Sequence, residues 1–175
     1  FLGAESGSAT IAVNVRYVIH RPVIGTAWLP FLSHVPDHTD LAPYHPGLAR
    51  GLPAYDVAHT TDAFFSFAKS AARVARSTGI PLTNSIHTDT PRYARIYAAA
   101  TVERLVGERV ARGLLRHCPV HEWAERDAWA TLASHQRRCR FALVARADEY
   151  QRACRVLPES RVGYLRRGID RTLFC

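Results

Sequence analysis

The stretch AYDVAHTTDAFFSFAKSAARVARSTGIPLTNSIHTDTP, from Ala54 to Pro91, holds the alternation that decides the fold. Tyr55 to His59 reads as a short strand with a β-branched centre, entered through Gly51 and Pro53. Thr60, Thr61 and Asp62 follow, residue types that satisfy the open amides at a helix start. From Ala63 to Ser77 the apolar residues Phe64, Phe67, Ala71, Val74 and Ala75 recur at helical spacing. Gly79 then stands where a helix ends in a left-handed residue. Ile80 to Ile86 predicts a second strand. His87-Thr88-Asp89-Thr90-Pro91 predicts a loop that opens another helix, with Pro91 in its first turn.

Downstream the same alternation continues. Arg92 to about His117 predicts a long arginine-studded helix interrupted near Gly107 or Gly113, and Val120 to Arg137 a further helix. Arg140 to Ala145 predicts a strand, Asp148 to Val156 a helix and Arg161 to Leu165 a last strand. Strands alternating with helices give an α/β fold: a Rossmann-like, mainly parallel sheet flanked by helices. Upstream, Ile11 to Ile19 alternates as a strand and Val23 to Trp28 is a second candidate. Pro30 to Pro53 carries five of the ten prolines and reads as a long loop with one helical turn. Ala4 to Ser8, rich in glycine and serine, is a candidate phosphate-facing turn, although it lacks GxGxxG and precedes its strand.

The 175 residues, 47% apolar and 22% charged, suffice for one domain with a full core. No apolar run is long enough for a membrane span, and no secretory signal pattern or internal repeat is present. The chain starts at Phe1 and contains no methionine, so residues are expected to be missing from it. Its net charge is +8, and Lys69 is the one lysine among 23 cations. Such a field favours anionic partners, and arginine suits bidentate phosphate contacts, though the bias toward arginine equally fits a GC-rich genome. Cys118, Cys139, Cys154 and Cys175 form no CxxC pair and no tight cluster with histidine, so free thiols in a reducing cytoplasm are expected, none a nucleophile and Cys154 a core filler.

Ligands of parallel α/β sheets sit outside the carboxyl ends of the strands. Two polar clusters fall there: His59-Thr60-Thr61-Asp62 and His87-Thr88-Asp89-Thr90. Each joins a histidine, hydroxyls, a carboxylate and the open amides of a helix start, a mixture that suits a polyhydroxylated ligand. The threonines and aspartates also read simply as helix caps; His87 does not, since Ser, Thr or Asp would cap better. His117, His121 and His135 lack a shared helical face because Pro119 intervenes, so no metal site is expected. GxSxG, Walker A and HExxH patterns are absent.

"YDVAHTTDAFF", "ARSTGIPLTNSIHTDTPRYARIY" and "SRVGYLRRGIDRTLF", in that order and spacing, resemble the N-terminal half of family-4 retaining glycosyltransferases of the GT-B fold. His87, Thr88, Pro91 and Tyr93 match the His-Thr-x-x-Pro-x-Tyr loop of its mannosyltransferase-like members. The resemblance covers about residues 54–115 and 140–174, while the family's glycine-rich first loop is not recognisable in residues 1–10. It implies that residues 1–175 are one acceptor-side domain ending at the inter-domain hinge, with the donor-binding domain outside this chain. It further implies sugar transfer from a nucleotide-sugar donor to a glycan or lipid-linked acceptor with retention. The nucleotide-sugar is a co-substrate held mainly by the other domain, and no further cofactor or metal is required. By this resemblance His87 is catalytic; His59, Thr61, Asp62, Thr88 and Asp89 of the two strand-end clusters, with Tyr93, are expected to bind substrate. Arg109, Arg112 and Arg116 share one helical face, which is either the solvated side of a core-packing helix or a contact with an anionic membrane surface, in a cytoplasmic protein peripheral to the inner face of the membrane. The alternative is a non-catalytic basic α/β module for an anionic surface or nucleic acid; within the transferase reading, nucleic acid is not an expected partner.

Overall fold

The computed structural model describes residues 2–25, 28–29 and 40–165. In chain order its elements are β1 (Gly7–Ala12), β2 (Val15–Ile19), α1 (Pro46–Gly51), β3 (Ala58–Thr60), α2 (Ser66–Thr78) and β4 (Leu82–Ser85). There follow α3 (Thr90–Val106), α4 (Glu108–His117), α5 (Val120–Arg138), β5 (Phe141–Val144), α6 (Ala147–Cys154) and β6 (Val162–Tyr164). Strands β3, β4, β5 and β6 form one sheet in that order, every neighbouring pair parallel. The fold is therefore α/β, a four-stranded parallel sheet flanked by helices, consistent with a Rossmann-like architecture.

Spatial neighbours in this sheet are also consecutive strands, so each crossover steps the same way. Right-handed crossovers then lay the connecting helices on one face. The register sets Ala58, Thr60, Leu82, Asn84, Ala142, Val144 and Val162 side by side on that face. Ala71, Ala72 and Ala75 of α2 cover Ala58 and Leu82, while Ala153 of α6 and Leu157 cover Ala142, Val144 and Val162. Small side chains on both sides bring helix and sheet close together. The opposite face carries His59, Thr83, Ser85, Phe141, Leu143 and Gly163, and neither buried apolar cluster among the described residues draws on it. A Cβ at Gly163 would stand 3.0 Å from the Phe141 ring, so a side chain here would press on that ring.

Local chemistry sets the helix ends. Gly79 closes α2 at φ 80°, a left-handed residue that costs glycine nothing. Gly107, at φ 79°, breaks the predicted long helix into α3 and α4. The Asp89 side chain accepts from the Arg92 amide to cap α3, with Pro91 in the first turn as expected. His45 caps α1 by accepting from the Leu48 amide through Nδ1, which makes Nε2–H the donor to the Arg21 carbonyl.

Several expectations are corrected. Ile11 to Ile19 is not one strand: β1 and β2 pair antiparallel across a two-residue turn at Val13-Asn14, with an irregularity between Thr10 and Ala12. Asn14 is the turn former that alternation alone passes over. Gly7 and Ser8 pair with Ile19 and Val18, so Ala4 to Ser8 opens no phosphate-facing turn. Val23 and Ile24 form no strand, because their amides donate to the carboxylate of Asp40 at 3.0 Å each. That carboxylate, fully buried, also accepts from the Ala42 amide and the Ser66 hydroxyl. Burial works to raise its pKa; the three amides and the hydroxyl outweigh it and hold it below the usual carboxylate range. Tyr55 to Val57 stay outside β3, exposed and without a partner strand, and α2 starts at Ser66 rather than Ala63. Much of the terminal motif "SRVGYLRRGIDRTLF", together with the expected hinge and Cys175, lies outside the described residues.

Candidate functional site

A cleft of about 1070 Å³ opens at the carboxyl ends of β3 and β4. Its polar rim is built from the two clusters that follow these strands: Thr61 and Asp62 after β3, and His87, Thr88 and Asp89 after β4. Tyr93, one turn into α3, joins them. The interior is apolar and aromatic, lined by Phe64, Phe65, Phe67, Tyr97, Trp129 and Leu132. The start of α2 is delayed because Asp62 Oδ1 accepts from the Phe64 amide at 2.8 Å and the Phe65 amide at 3.1 Å. This turn, and not a helix cap, places two phenyl rings on the cleft wall.

His59 is the one predicted substrate-binding residue that does not line the cleft. It lies on the sheet face away from the helices and is exposed. It reaches the cleft indirectly, since its Nε2 is 2.9 Å from Ser85 Oγ, which is 2.7 Å from His87 Nε2. Its Nδ1 is 2.8 Å from Thr83 Oγ1. Burial first, and then the neighbouring His87, lower the His59 pKa, so it is neutral at pH 7. Ser85 is 1% exposed and lines the cleft.

Thr60 proves structural. It is buried on the covered face, where its hydroxyl donates to the Thr83 carbonyl at 3.3 Å and accepts from Asn84 Nδ2 at 3.1 Å. His135 Nε2, 2.9 Å away, completes the set as a donor. Burial, helped by Arg138 and opposed by Asp62, drives the His135 imidazole down to about 4. Asp89 has double duty, for its second oxygen is 3.4 Å from Arg146 of the β5–α6 junction. Arg152 lies 4.1 Å over the Trp129 ring at the far wall of the cleft. Gln136, 3% exposed, lines the same cleft with an Nε2 that finds no partner among the described residues. The sequence gives Arg152, Trp129 and Gln136 no motif; only the packing of α5 and α6 brings them to the site.

Among the described residues no group of three or more His, Cys, Asp or Glu side chains is placed to hold a metal ion. Cys118, Cys139 and Cys154 are free thiols. Cys139 is fully buried, and burial pushes its thiol up to about 12 despite the nearby Arg161. Cys154 packs against the buried cluster over β5 and β6. Arg109, Arg112 and Arg116 are exposed on α4, where Arg112 pairs with Glu108 at 2.7 Å. No helix among the described residues is long and apolar enough to cross a membrane. Comparison with protein-family models, with characterised proteins and with solved structures gives no match for this chain.

Proposed function

We propose that this chain is the acceptor-side domain of a nucleotide-sugar-dependent, retaining glycosyltransferase acting on a glycan or lipid-linked acceptor. The observation that carries the reading is convergence. Six of the seven residues singled out from sequence, Thr61, Asp62, His87, Thr88, Asp89 and Tyr93, line one cleft, and the seventh, His59, is hydrogen-bonded into it through Ser85. In this role the hydroxyls and carboxylates of the rim bind sugar hydroxyls. His87, donor and acceptor at once, is the catalytic contact to the transferred sugar. The leaving phosphate of the donor assists the acceptor hydroxyl, and the donor itself is held mainly by a second domain outside these residues. The apolar interior favours a lipid-linked acceptor over a bare glycan.

Helix α4 supports a peripheral site at the inner face of a membrane. On α4, Val110 and Leu114 are 60% and 44% exposed along one side of the helix, with Arg109, Arg112 and Arg116 on the opposite side. The net charge of +8 keeps a second reading, a non-catalytic basic module for an anionic surface or nucleic acid. Expression of the complete reading frame that contains these residues separates the two. The complete protein is expected to turn over a nucleotide-sugar in the presence of lipid extract, and the 175-residue piece alone is expected to turn over none. Turnover by the piece alone overturns the half-site. A complete protein that binds nucleic acid and transfers no sugar establishes the module.

A further inference from the structure

We infer that Ser85 and His59 are positioning residues for His87, holding its imidazole in the tautomer with the proton on Nε2 and the lone pair on Nδ1. The inference rests on the proposal that His87 meets the substrate, and it gives that contact a polarity.

The hydroxyl of Ser85 has one hydrogen and two imidazole nitrogens within reach, His59 Nε2 at 2.9 Å and His87 Nε2 at 2.7 Å. It donates to one and accepts from the other, so the tautomers of the two histidines are locked together. Thr83 sets the direction. Its Oγ1 lies 3.4 Å from the Ala58 carbonyl and 2.8 Å from His59 Nδ1. When Thr83 donates to that carbonyl, His59 Nδ1–H donates to Thr83, Ser85 donates to His59 Nε2, and His87 Nε2–H donates to Ser85. All four contacts are then made together. In the reverse direction Thr83 turns to His59, and the contact with Ala58 is lost. The direction requires a neutral His59, because an imidazolium would donate from both nitrogens and force Ser85 to turn toward His87. The lowered pKa of His59 agrees with that requirement. Ser85 is 1% exposed, so water does not compete for the central hydroxyl. The result is a one-way chain running from the cleft, through the sheet edge, to its open face.

Long-range ¹H–¹⁵N correlation spectra of the labelled full chain at about pH 8, above the ordinary histidine range, read each tautomer directly. The expected spectrum has His87 protonated at Nε2 and His59 at Nδ1. In Ser85→Ala, His87 relaxes to a mixture of tautomers, and Ser85→Thr, which keeps the hydroxyl, restores the single form. In His59→Ala, an exposed position that leaves the fold intact, Ser85 is released to donate to His87, whose population moves toward Nδ1–H. A wild-type His87 protonated at Nδ1, or an Nε2–H form that persists unchanged in both Ser85→Ala and His59→Ala, overturns the inference. Should Ser85→Ala fail to fold, the His59→Ala spectrum decides. None of these readouts needs transferase activity. A correct tautomer in a protein that transfers no sugar therefore removes the catalytic role of His87 while leaving the chain of hydrogen bonds in place.

Discussion

On the helix-covered face of the sheet, the seven side chains from Ala58 to Val162 are buried, and Tyr164 at the β6 end of that face stacks on Tyr150 of α6 and stays 50% exposed. On the other face His59 is exposed, Thr83, Phe141 and Leu143 are half-buried, and only Ser85, at the cleft end, is buried among the described side chains. Parallel sheets normally bury both faces. The contrast follows from strand order, since four consecutive strands wound in one sense collect their helices on one side. It also separates two tasks. The covered face holds the apolar clusters, with the polar Thr60, Asn84 and His135 bonded among themselves. The open face and the strand ends hold the histidine chain that leads into the cleft.

Substitution at neighbouring positions of β5 tests that division most severely. Val144→Asp puts a charge with no partner on the covered face and is expected to cost more than about 4 kcal/mol, enough to abolish cooperative folding. Leu143→Asp, one residue earlier and facing the other way, is expected to stay folded and lose about 1–2 kcal/mol. Urea denaturation of the two variants checks this, and equal losses would erase the distinction between the faces.

Next in size is a pH effect. His135 is neutral and buried in the native state with a pKa of about 4, whereas the unfolded chain has the ordinary value near 6.5. Between those values the unfolded state binds the extra proton. Stability is therefore complete above about pH 6.5 and declines as pH falls toward 4, by about 3 kcal/mol in all. His59, also lowered, adds in the same sense. His135→Gln should flatten this slope, as measured by thermal melts across the window. A slope that survives the substitution would assign the acid sensitivity elsewhere.

A smaller difference is expected between two threonines. Thr60→Val leaves Asn84 and His135 short of a buried partner and should cost about 1–3 kcal/mol. Thr83→Val, on the open face, should cost about 0.5 kcal/mol in denaturation experiments. The smallest effect concerns α4, where buried Ala111 contrasts with exposed Val110 and Leu114. Arg109→Ser and Arg116→Ser should each weaken binding to acidic vesicles about fivefold, or about 1 kcal/mol per cation. Arg112→Ser should do less, since Glu108 already holds that guanidinium. Co-sedimentation that ignores acidic lipid and salt, or no binding at all, would leave these arginines a solvated surface.

The strand and helix succession from Ala54 to Leu165 was legible because its apolar spacing and its glycine and proline punctuation agree. Gly79 and Asp89 do what their types suggest. The helix start after Asp62 was misplaced, since an aspartate that caps a turn and one that caps a helix look alike in sequence. The hairpin turn at Val13-Asn14 was hidden inside an unbroken alternation. Asp40 was invisible, because its partners lie 16 to 26 residues away in the chain, apart from Ala42. The cleft's rim was readable as residue types at strand ends, whereas Trp129, Gln136 and Arg152 required the packing of α5 and α6 against it.

The acceptor-site reading is tested most directly by His87→Ala in the complete protein, with nucleotide-sugar turnover and melting temperature measured on the same preparation. His87 is exposed at the carboxyl end of β4, outside both buried clusters. Turnover is expected to fall by about 10²–10³, the usual consequence of losing one positioned hydrogen bond to the transition state, while the melting temperature stays within about 2 °C of wild type. Near-normal turnover, or a variant that unfolds, would contradict the account.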